Sequence, residues 1–214
     1  MPESNQIAQF QKKLSAEWGL IPEQMKQLQG YAETLLHWRQ KLNLTGNLTL
    51  PLIWERHIAD SLEALQLQHL PQLGPWADLG SGAGLPAIPL AIALPQIEFQ
   101  AWESVNKKNA FQAFCRAHLG IKNLHPRLGR VEEISPAAGV QVVSARALAA
   151  LPQLLAWGKG ILPASGTMIL WKGETWKDEL AGEPEAALAA AGFALVEIHS
   201  YAAGKGVILV LKKT

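Results

Sequence analysis

Cysteine is nearly absent from this chain, because Cys115 is the one cysteine among 214 residues. A single thiol cannot form a disulfide within the chain, and it cannot build a zinc site that needs several cysteines. No metal site is therefore predicted. We expect Cys115 to be a small buried apolar residue on a helix, the usual environment of an unpaired cysteine.

Long apolar runs are also missing. The longest, residues 85–94, has ten residues and includes two prolines, whereas a membrane-spanning helix needs about 20 apolar residues. The opening residues MPESNQIAQFQKKL lack the apolar segment of a signal peptide. We therefore expect a cytoplasmic protein with no membrane partner.

The net charge is low, at +1, but the charges are unevenly spread. Residues 1–73 carry six Lys and Arg against seven Asp and Glu, whereas residues 104–146 carry seven basic residues against two acidic ones. The position of charge says more about partners than its total does. The second segment fits either a local basic surface or an ordinary solvated helix face, and the sequence leaves both open.

Helical periodicity dominates the first third of the chain. From Ile21 to Leu42, apolar residues recur at intervals of three to four, as on one face of an amphipathic helix. A second amphipathic segment follows Pro51, a residue that suits the first turn of a helix. Together with a short helix near residues 4–17, residues 1–72 are predicted to form a helical N-terminal subdomain.

From residue 73 onward, short strand-like runs alternate with helical segments, which is typical of an α/β domain. The last two runs are joined by YAAGKG, too short for a helical crossover, so they must pair antiparallel. Residues 73–214 are therefore predicted to form a Rossmann-like α/β domain with a seven-stranded, mostly parallel sheet and an antiparallel last strand. The predicted strands are 76–79, 98–102, 123–128, 140–144, 167–171, 193–200 and 206–211. The predicted helices are 85–94, 106–119, 148–158 and 177–191.

A glycine-rich turn, GSGAG at residues 80–84, lies between the first strand and the next helix. Glycines at alternate positions let the main chain approach a nucleotide-like ligand, because side chains there would block contact. The dinucleotide pattern G-x-G-x-x-G/A needs Gly or Ala at position 85, where this chain has Leu85. The sequence instead fits D/E-x-G-x-G-x-G, which we associate with S-adenosylmethionine (SAM) in class I SAM-dependent methyltransferases. The predicted cofactor residues of this motif are Asp78, Gly80, Gly82 and Gly84.

Glu103 is the acidic residue expected at the end of the second strand. In dinucleotide-binding folds such a residue follows the first glycine by about 20 positions and holds the ribose hydroxyls. Glu103 follows Gly80 by 23 positions, and a carboxylate can accept hydrogen bonds from both hydroxyls. We predict that Glu103 contacts the ribose of SAM, and an ordinary surface carboxylate is the alternative.

Longer motifs occur along nearly the whole chain. They are NLT at 43–45, ERHIADSL at 55–62, DLGSGAGLPAIPLAI at 78–92, ESVNKK at 103–108, GRVEE at 129–133, SARAL at 144–148 and LWKG at 170–173. On these motifs the chain resembles the bacterial 16S rRNA (guanine-N7) methyltransferase G family, also called glucose-inhibited division protein B. The R-H-x-x-D-S block is the most specific of them, since many methyltransferases share the glycine motif.

This resemblance implies SAM as the methyl donor and N7 of one guanine in 16S rRNA as the acceptor, guanine 527 in the family. It implies 16S rRNA or the small ribosomal subunit as the partner. Apart from the resemblance, we expect a monomer and no metal. The resemblance also implies further cofactor contacts, with Val131 and Glu132 beside the adenine. Those contacts are Gly80, Leu85, Val131, Glu132 and Arg146.

The acceptor determines what catalysis requires. Guanine N7 has a free lone pair and no proton to lose, so its methylation is an in-line displacement that needs no general base. Alignment and water exclusion then supply most of the acceleration. We predict that Asp60 favours the cationic product and that Arg56 or Arg146 donates to guanine O6. The residues predicted to contact the substrate are Asn43, Arg56, His57, Ser61, Lys107 and Lys108.

Other interpretations remain open at the level of sequence. The R-H-x-x-D-S block would also suit an Arg–Asp helix pair beside a packed histidine. The chain as a whole would also suit a small-molecule SAM methyltransferase or a non-catalytic SAM- or RNA-binding module. The basic 104–146 segment and the N-terminal block speak against a small-molecule enzyme. The eight tryptophans decide little, because core and edge packing is the expected role of most of them.

Overall fold

The computed structural model describes residues 3–39, 41–42, 48–68, 70, 74–134, 139–201 and 206–214. The chain begins with two helices, as its periodicity predicts. In the second helix the buried residues Leu28, Tyr31, Ala32 and Leu35 follow the spacing of a single helix face. The two helices are α1, Glu3–Trp18, and α2, Pro22–Trp38.

The second amphipathic segment is helical from Leu50 to Gln66, but its hydrogen-bond pattern changes along its length. Thr49 caps its first turn, because the threonine hydroxyl accepts from the N–H of Leu52 at 3.4 Å. A π-helical turn then interrupts the α-helical hydrogen-bond pattern. Such turns are rare in proteins as a whole, but many of those that occur lie at functional sites. The segment consists of α3, Leu50–Ile53, the π-helical turn Trp54–Ala59, α4, Asp60–Leu62, and a 3-10 turn, Glu63–Gln66.

Seven strands form one sheet in the order β3-β2-β1-β4-β5-β7-β6. Strands β1 to β5 pair in parallel, and β7 is antiparallel to both of its neighbours, β5 and β6. The predicted fold class is confirmed, including the antiparallel last strand. The strands are β1, Trp76–Leu79, β2, Phe99–Glu103, β3, Leu124–Leu128, β4, Val142–Arg146, β5, Thr167–Gly173, β6, Phe193–Tyr201, and β7, Gly206–Lys213.

Helices cover both faces of the sheet. Trp76 packs into a core formed with α1, α2, α5 and α6, whereas Ala77 and Leu79 face a second core formed with α7 and α8. Neighbouring residues of β1 reach different cores because side chains alternate along a strand. The remaining helices are α5, Ala87–Ala93, α6, Asn106–His118, α7, Leu151–Ile161, and α8, Pro184–Ala191.

The N-terminal helices share a core with the sheet. Leu28 and Leu62 belong to the same buried cluster as Trp76 and Phe99. The division into residues 1–72 and 73–214 stays a prediction, since its boundary falls within residues 71–73, outside the described residues.

The prediction of one continuous helix over 177–191 is wrong. A 3-10 turn spans Trp176–Leu180, and α8 begins only at Pro184. Between them, Ala181 and Gly182 have φ of 54° and 76°, in the left-handed region. Pro184 contributes to the break, because proline disfavours the helical conformation in the residue before it. The helix predicted at 148–158 also begins later, at Leu151.

Cys115 is fully buried in α6, as predicted, and burial raises the pKa of its thiol to about 12. Within the part of the chain that the structure describes, no helix is both long enough and apolar enough to cross a lipid bilayer. Nor do the described residues bring three or more His, Cys, Asp or Glu side chains together as a potential metal site.

Candidate functional site

The glycine-rich turn lies at the carboxyl end of β1, the end of the sheet where such folds bind their ligands. Gly80, Gly82 and Gly84 have φ of 61°, 57° and 85°, a region that glycine adopts without strain. A Cβ on Gly80 would lie 2.3 Å from Cδ1 of Leu148, and a Cβ on Gly84 would lie 2.3 Å from Cδ1 of Ile88. A side chain at either position would be strained by the positive φ and would have to displace Leu148 or Ile88.

Asp78 lies beneath this turn. Its carboxylate is fully buried and accepts hydrogen bonds from the hydroxyls of Ser144, at 2.8 Å, and Ser81. Burial raises the pKa of Asp78 to about 7, although the two hydroxyls act in the opposite direction. The side chain lines neither of the cavities described below, and its observed contacts hold the turn; its predicted contact with a cofactor stays a prediction.

We expect Asp78→Asn to change how stability depends on pH. The pKa of Asp78 in the folded protein, about 7, lies above the ordinary value of 3.8, so proton binding favours the fold. The contribution of this proton to the free energy of unfolding is complete below about pH 4 and is lost as the pH rises through about 7. Over that window wild type should lose up to about 1.4 kcal/mol of unfolding free energy per pH unit relative to the variant. Urea unfolding of both proteins across the window measures this difference, and a pH-independent difference would contradict it.

Two side chains from other elements fix the main chain of the turn. The hydroxyl of Tyr31, from α2, donates to the carbonyl of Ala83 at 2.9 Å. The side-chain amide of Gln112, from α6, donates to the carbonyl of Gly82 at 2.9 Å. Neither contact was predicted, because each partner is a main-chain atom far away in the sequence. Helix α2 of the N-terminal region thus supports the turn directly.

A first cavity of about 450 Å³ opens above the turn. Glu103 lies in its wall, and its carboxylate accepts from the N–H groups of Gly82, at 2.9 Å, and Val105, at 2.8 Å. A carboxylate has about four acceptor positions, so Glu103 retains capacity for a ligand. The structure therefore brings together several predicted cofactor residues in this cavity. Its lining includes Gly80, Trp102, Glu103, Val131, Glu132 and Ala147.

Other predicted site residues lie elsewhere. Gly82 and Gly84 shape the turn, and Leu85 packs against the core below it. Lys108, predicted to contact the substrate, lines the first cavity, while Lys107 is exposed beside it. Asn43, also predicted to contact the substrate, lies outside the described residues.

Arg146 ends β4 and connects the sheet to the helical segment. Its guanidinium donates to the main-chain carbonyls of Arg56, at 2.6 Å, and His57, at 3.3 Å. It also donates to the hydroxyl of Ser61 at 3.3 Å and pairs with Asp60 at 3.2 Å. The R-H-x-x-D-S block and Arg146 do meet, but largely through carbonyls of the π-helical turn, which α-helical spacing does not reveal.

These contacts change the roles predicted for the block. Arginine carries five N–H donors, and Arg146 directs most of them at the protein itself, which leaves little for a base. Ser61 is fully buried, donates to His57 O at 2.6 Å and supports Arg146, so its predicted contact with the substrate stays a prediction. The side chain of Arg56 is exposed.

The ionisation of the block follows from its burial. Burial raises the pKa of Asp60 to about 6, while the Arg146 charge acts to lower it. Burial, with Arg146 as a second cause, lowers the pKa of His57 to about 4. At neutral pH, His57 is therefore uncharged and Asp60 is mostly ionised against Arg146.

A second cavity, of about 310 Å³, adjoins the first, because Ala147 lines both. In its wall Lys172 Nζ lies 2.7 Å from both carboxylate oxygens of Glu179. The sequence motifs include Lys172, in LWKG, but no spacing links it to Glu179, so this pair was missed. The second cavity is lined by residues that include Arg146, Leu154, Trp171, Lys172, Glu179 and Tyr201.

The basic segment 104–146 is largely solvent-accessible. Five of its seven basic residues are exposed, on or next to α6 and β3: Lys107, Arg116, Lys122, Arg127 and Arg130. They lie in the same part of the sheet as the first cavity, whose lining includes Lys108 and Arg130. Both interpretations of this segment, a partner surface and a solvated face, remain consistent with the structure.

The family model of rRNA small subunit methyltransferase G, or GidB, matches residues 24–207. The chain belongs to this family. A ribosomal RNA small subunit methyltransferase G of Methylobacterium sp. (strain 4-46) is 41% identical over 180 residues, which cover 81% of this chain and 82% of the relative. One of Hyphomonas neptunium is 38% identical over 193 residues, covering 89% and 88%. As a member of the methyltransferase G family, the protein is a SAM-dependent rRNA methyltransferase.

Solved structures share the fold at low sequence identity. A SAM-dependent methyltransferase from Aquifex aeolicus has a TM-score of 0.61 and 14% identity, covering 82% of this chain and 98% of that one. Aeropyrum pernix fibrillarin with natively bound SAM has a TM-score of 0.54 and 16% identity, covering 71% and 74%. The first cavity suits the family cofactor, because it combines a main-chain cradle at Gly80, the carboxylate of Glu103 and the apolar side chains of Trp102 and Val131.

Proposed function

We propose that this methyltransferase transfers a methyl group from SAM to N7 of a guanine in 16S rRNA, at the family position guanine 527. The observation that favours N7 as the methyl acceptor is that the ionisable groups at the second cavity are held in ion pairs. Arg146 is paired with Asp60, and Lys172 with Glu179. None of these groups is a free base, which suits an acceptor that has a lone pair and no proton to lose. Such a substrate is bound in the bacterial cytoplasm, where ribosomal subunits are made.

The first cavity is the proposed cofactor site. Glu103 accepts from the ribose hydroxyls, and the main chain at Gly80 lies against the cofactor. Val131 contacts the adenine face, and the adjacent Glu132 accepts from its exocyclic amine. When bound, SAM supplies an electrophilic methyl group on a sulfonium. The chain's own contribution is to fix this group in position with Glu103 and to exclude water with Trp102 and Leu148.

Arg146, Asp60 and the carbonyls of Arg56 and His57 form a clamp between β4 and the helical segment. Arg146 and Asp60 hold the helical segment against the end of β4, beside Ala147, where the two cavities meet. Asp60 also places negative charge near the purine, which becomes cationic when N7 is methylated. Alignment of this kind is the main source of acceleration for a reaction that requires no proton transfer, worth roughly 7–11 kcal/mol in model systems.

RNA contacts are proposed on the surface around the cavities. Lys107, Lys108 and the exposed side chain of Arg56 provide cations for phosphates, with the exposed basic residues of α6 and β3 beyond them. His57, neutral at physiological pH, can hydrogen-bond RNA without adding charge. Asn43 is kept as a proposed contact from the sequence motif.

Transfer of tritiated methyl groups from SAM tests the proposed function. We expect wild-type protein to label 16S rRNA in small subunits that lack the modification. Borohydride reduction followed by aniline should then cleave the RNA at guanine 527. The cleavage is expected because reduction of an N7-methylated guanine weakens its glycosidic bond, and aniline cuts the strand where the base is lost. Small subunits that already carry the modification are the control and should take up no label.

Each other outcome contradicts part of the proposal. Labelled 16S rRNA without aniline cleavage would place the methyl group on an atom other than N7. Label in a small metabolite and none in RNA would favour the small-molecule enzyme. Calorimetric binding of SAM without transfer to any substrate would favour a non-catalytic module.

A further inference from the structure

The second cavity contains a charged pair that the cofactor chemistry does not use. Lys172 and Glu179 lie in its wall and do not line the first cavity, and both are mostly buried, with 10% and 30% of their side chains exposed. A buried ion pair is costly to desolvate, and replacing it by apolar residues is often neutral or favourable. Its presence next to the proposed methyl-transfer site therefore calls for a role beyond stability.

Glu179 has capacity for a ligand although it already has partners. Its carboxylate accepts from the N–H of Leu151 at 2.6 Å and from Nζ of Lys172 at 2.7 Å. Nζ of Lys172 also donates to the carbonyl of Ala149 at 3.3 Å. The printed hydrogen bonds of Nζ use two of its three donors, on Oε2 of Glu179 and on the carbonyl of Ala149, so one donor remains. Oε2 is the oxygen that accepts from Leu151 and Lys172, so Oε1, which lies 2.7 Å from Nζ, keeps two acceptor positions beside that donor.

We propose that the second cavity holds the acceptor guanine by its Watson–Crick edge, with Glu179 accepting from N1–H and the N2 amine and Lys172 donating to O6. This inference rests on the proposed function and names the residues that select the base. Guanine is the base whose Watson–Crick edge presents two adjacent donors beside an acceptor, and the cavity presents an adjacent acceptor and donor. A carboxylate in this position would meet the N1 lone pair of an adenine, which repels it.

The size and apolar lining of the cavity fit a flipped base. Its volume of about 310 Å³ is at the lower end of the range of small-ligand cavities, about 300–1,000 Å³. Tyr201, Trp171 and Leu154 supply aromatic and apolar surface, and enzymes that act on an extruded base combine such surfaces with hydrogen bonds to its Watson–Crick edge.

The proposed hydrogen bonds from Glu179 and Lys172 leave N7, the atom that accepts the methyl group, free. N7 belongs to the imidazole ring and lies on the Hoogsteen edge, on the other side of O6 from N1 and N2. A guanine held at N1 and N2 by Glu179 can therefore turn N7 toward Ala147, the residue shared with the first cavity. Arg146 does not compete for this role, because its guanidinium is committed to the helical segment.

Inosine at the target position tests the proposal, because it lacks only the N2 amine. Small subunits are reconstituted with 16S rRNA that carries guanine or inosine at position 527, joined from ligated segments. We expect wild type to show a kcat/KM at least about tenfold lower on inosine, as expected for one lost hydrogen bond to a charged group. For Glu179→Gln, kcat/KM on guanine should fall about 100-fold, and the guanine-to-inosine ratio should approach one.

The ratio of kcat/KM on guanine to kcat/KM on inosine shows whether Glu179 recognises the base or only supports the fold. Glutamine keeps an acceptor for the N–H of Leu151 but presents an amine to the base, so the fold is retained while the match is lost. SAM binding by calorimetry and the Tm confirm that the variant is folded. If Glu179→Gln does not fold, Glu179→Asp takes its place, and a partial loss of the ratio is expected. Glu185→Gln, an exposed acid on α8 outside the cavity, is the matched control and should behave as wild type.

Two results would overturn the proposal, and both leave the proposed function intact. The first is equal rates of wild type on guanine and inosine. The second is a Glu179→Gln variant that slows both substrates equally, which would assign Glu179 to holding Lys172 and the start of α7. Failure of the proposed function looks different, because wild type would then not methylate N7 of guanine at all.

Discussion

Gly80→Ala is expected to weaken SAM binding at least about 100-fold, a change of roughly 2.7 kcal/mol. The new Cβ would lie 2.3 Å from Cδ1 and 3.0 Å from Cδ2 of Leu148. Leu148 lines the first cavity, so it can yield only by moving into the space that the cofactor needs or by displacing the turn. The left-handed φ of 61° adds about 1–2 kcal/mol of backbone strain.

Gly120→Ala is the matched control for this variant. Gly120 has a similar φ of 66°, but a Cβ there would meet nothing within 4 Å. The two variants therefore pay the same backbone strain and differ in the collision at the cavity. Calorimetric titration with SAM should show unchanged affinity for Gly120→Ala, and in urea Gly80→Ala should lose at least as much stability as Gly120→Ala, because it adds the collision to the shared strain. Normal SAM affinity in Gly80→Ala would show that the turn does not contact the cofactor.

The sheet could be predicted from the sequence because its signals are local. Every predicted strand begins within two residues of the observed one, since apolar runs bounded by turn residues determine strands over a short window. The antiparallel last strand followed from a connection too short for a crossover. In the alanine-rich stretch before residue 191 the local signals conflict. Alanine favours a helix, whereas Gly182 and Pro184 favour the break that is observed there.

The candidate site was predictable where a motif touches a ligand directly, and less so where side chains support other side chains. The glycine turn and Glu103 come together in one cavity because both follow adjacent parallel strands. Tyr31 and Glu179 were missed because they act through main-chain atoms or through residues of another element. Spacing along a single helix cannot reveal such contacts.

The π-helical turn is the clearest case of this limit. Regular α-helical spacing would put Arg56 and Asp60 on one face of the helix and turn His57 away from them. In the structure, Arg146 is instead surrounded by the carbonyls of Arg56 and His57 together with Asp60. The geometry is explained by tertiary contacts with β4, which override the local pattern.

Arg146→Ala is expected to abolish most methyl transfer while it leaves SAM binding nearly unchanged. Arg146 does not line the first cavity, so the cofactor should keep its affinity within about threefold. Transfer should fall at least about 100-fold, because the clamp that aligns the helical segment with β4 is lost. Asp60, with 15% of its side chain exposed, would lose its cation, and breaking a buried pair in this way costs about 3–5 kcal/mol of stability.

The double variant Asp60→Asn, Arg146→Ala separates stability from alignment. Removing the unpaired carboxylate should restore much of the unfolding free energy, since the cost of a lone buried charge disappears. Activity should stay low, because asparagine cannot replace the guanidinium contacts to Arg56 and His57. Urea unfolding, calorimetry with SAM and single-turnover methylation of small subunits measure the three quantities separately. If the double variant regained transfer together with stability, Arg146 would serve only to neutralise Asp60, and the clamp would have no part in catalysis.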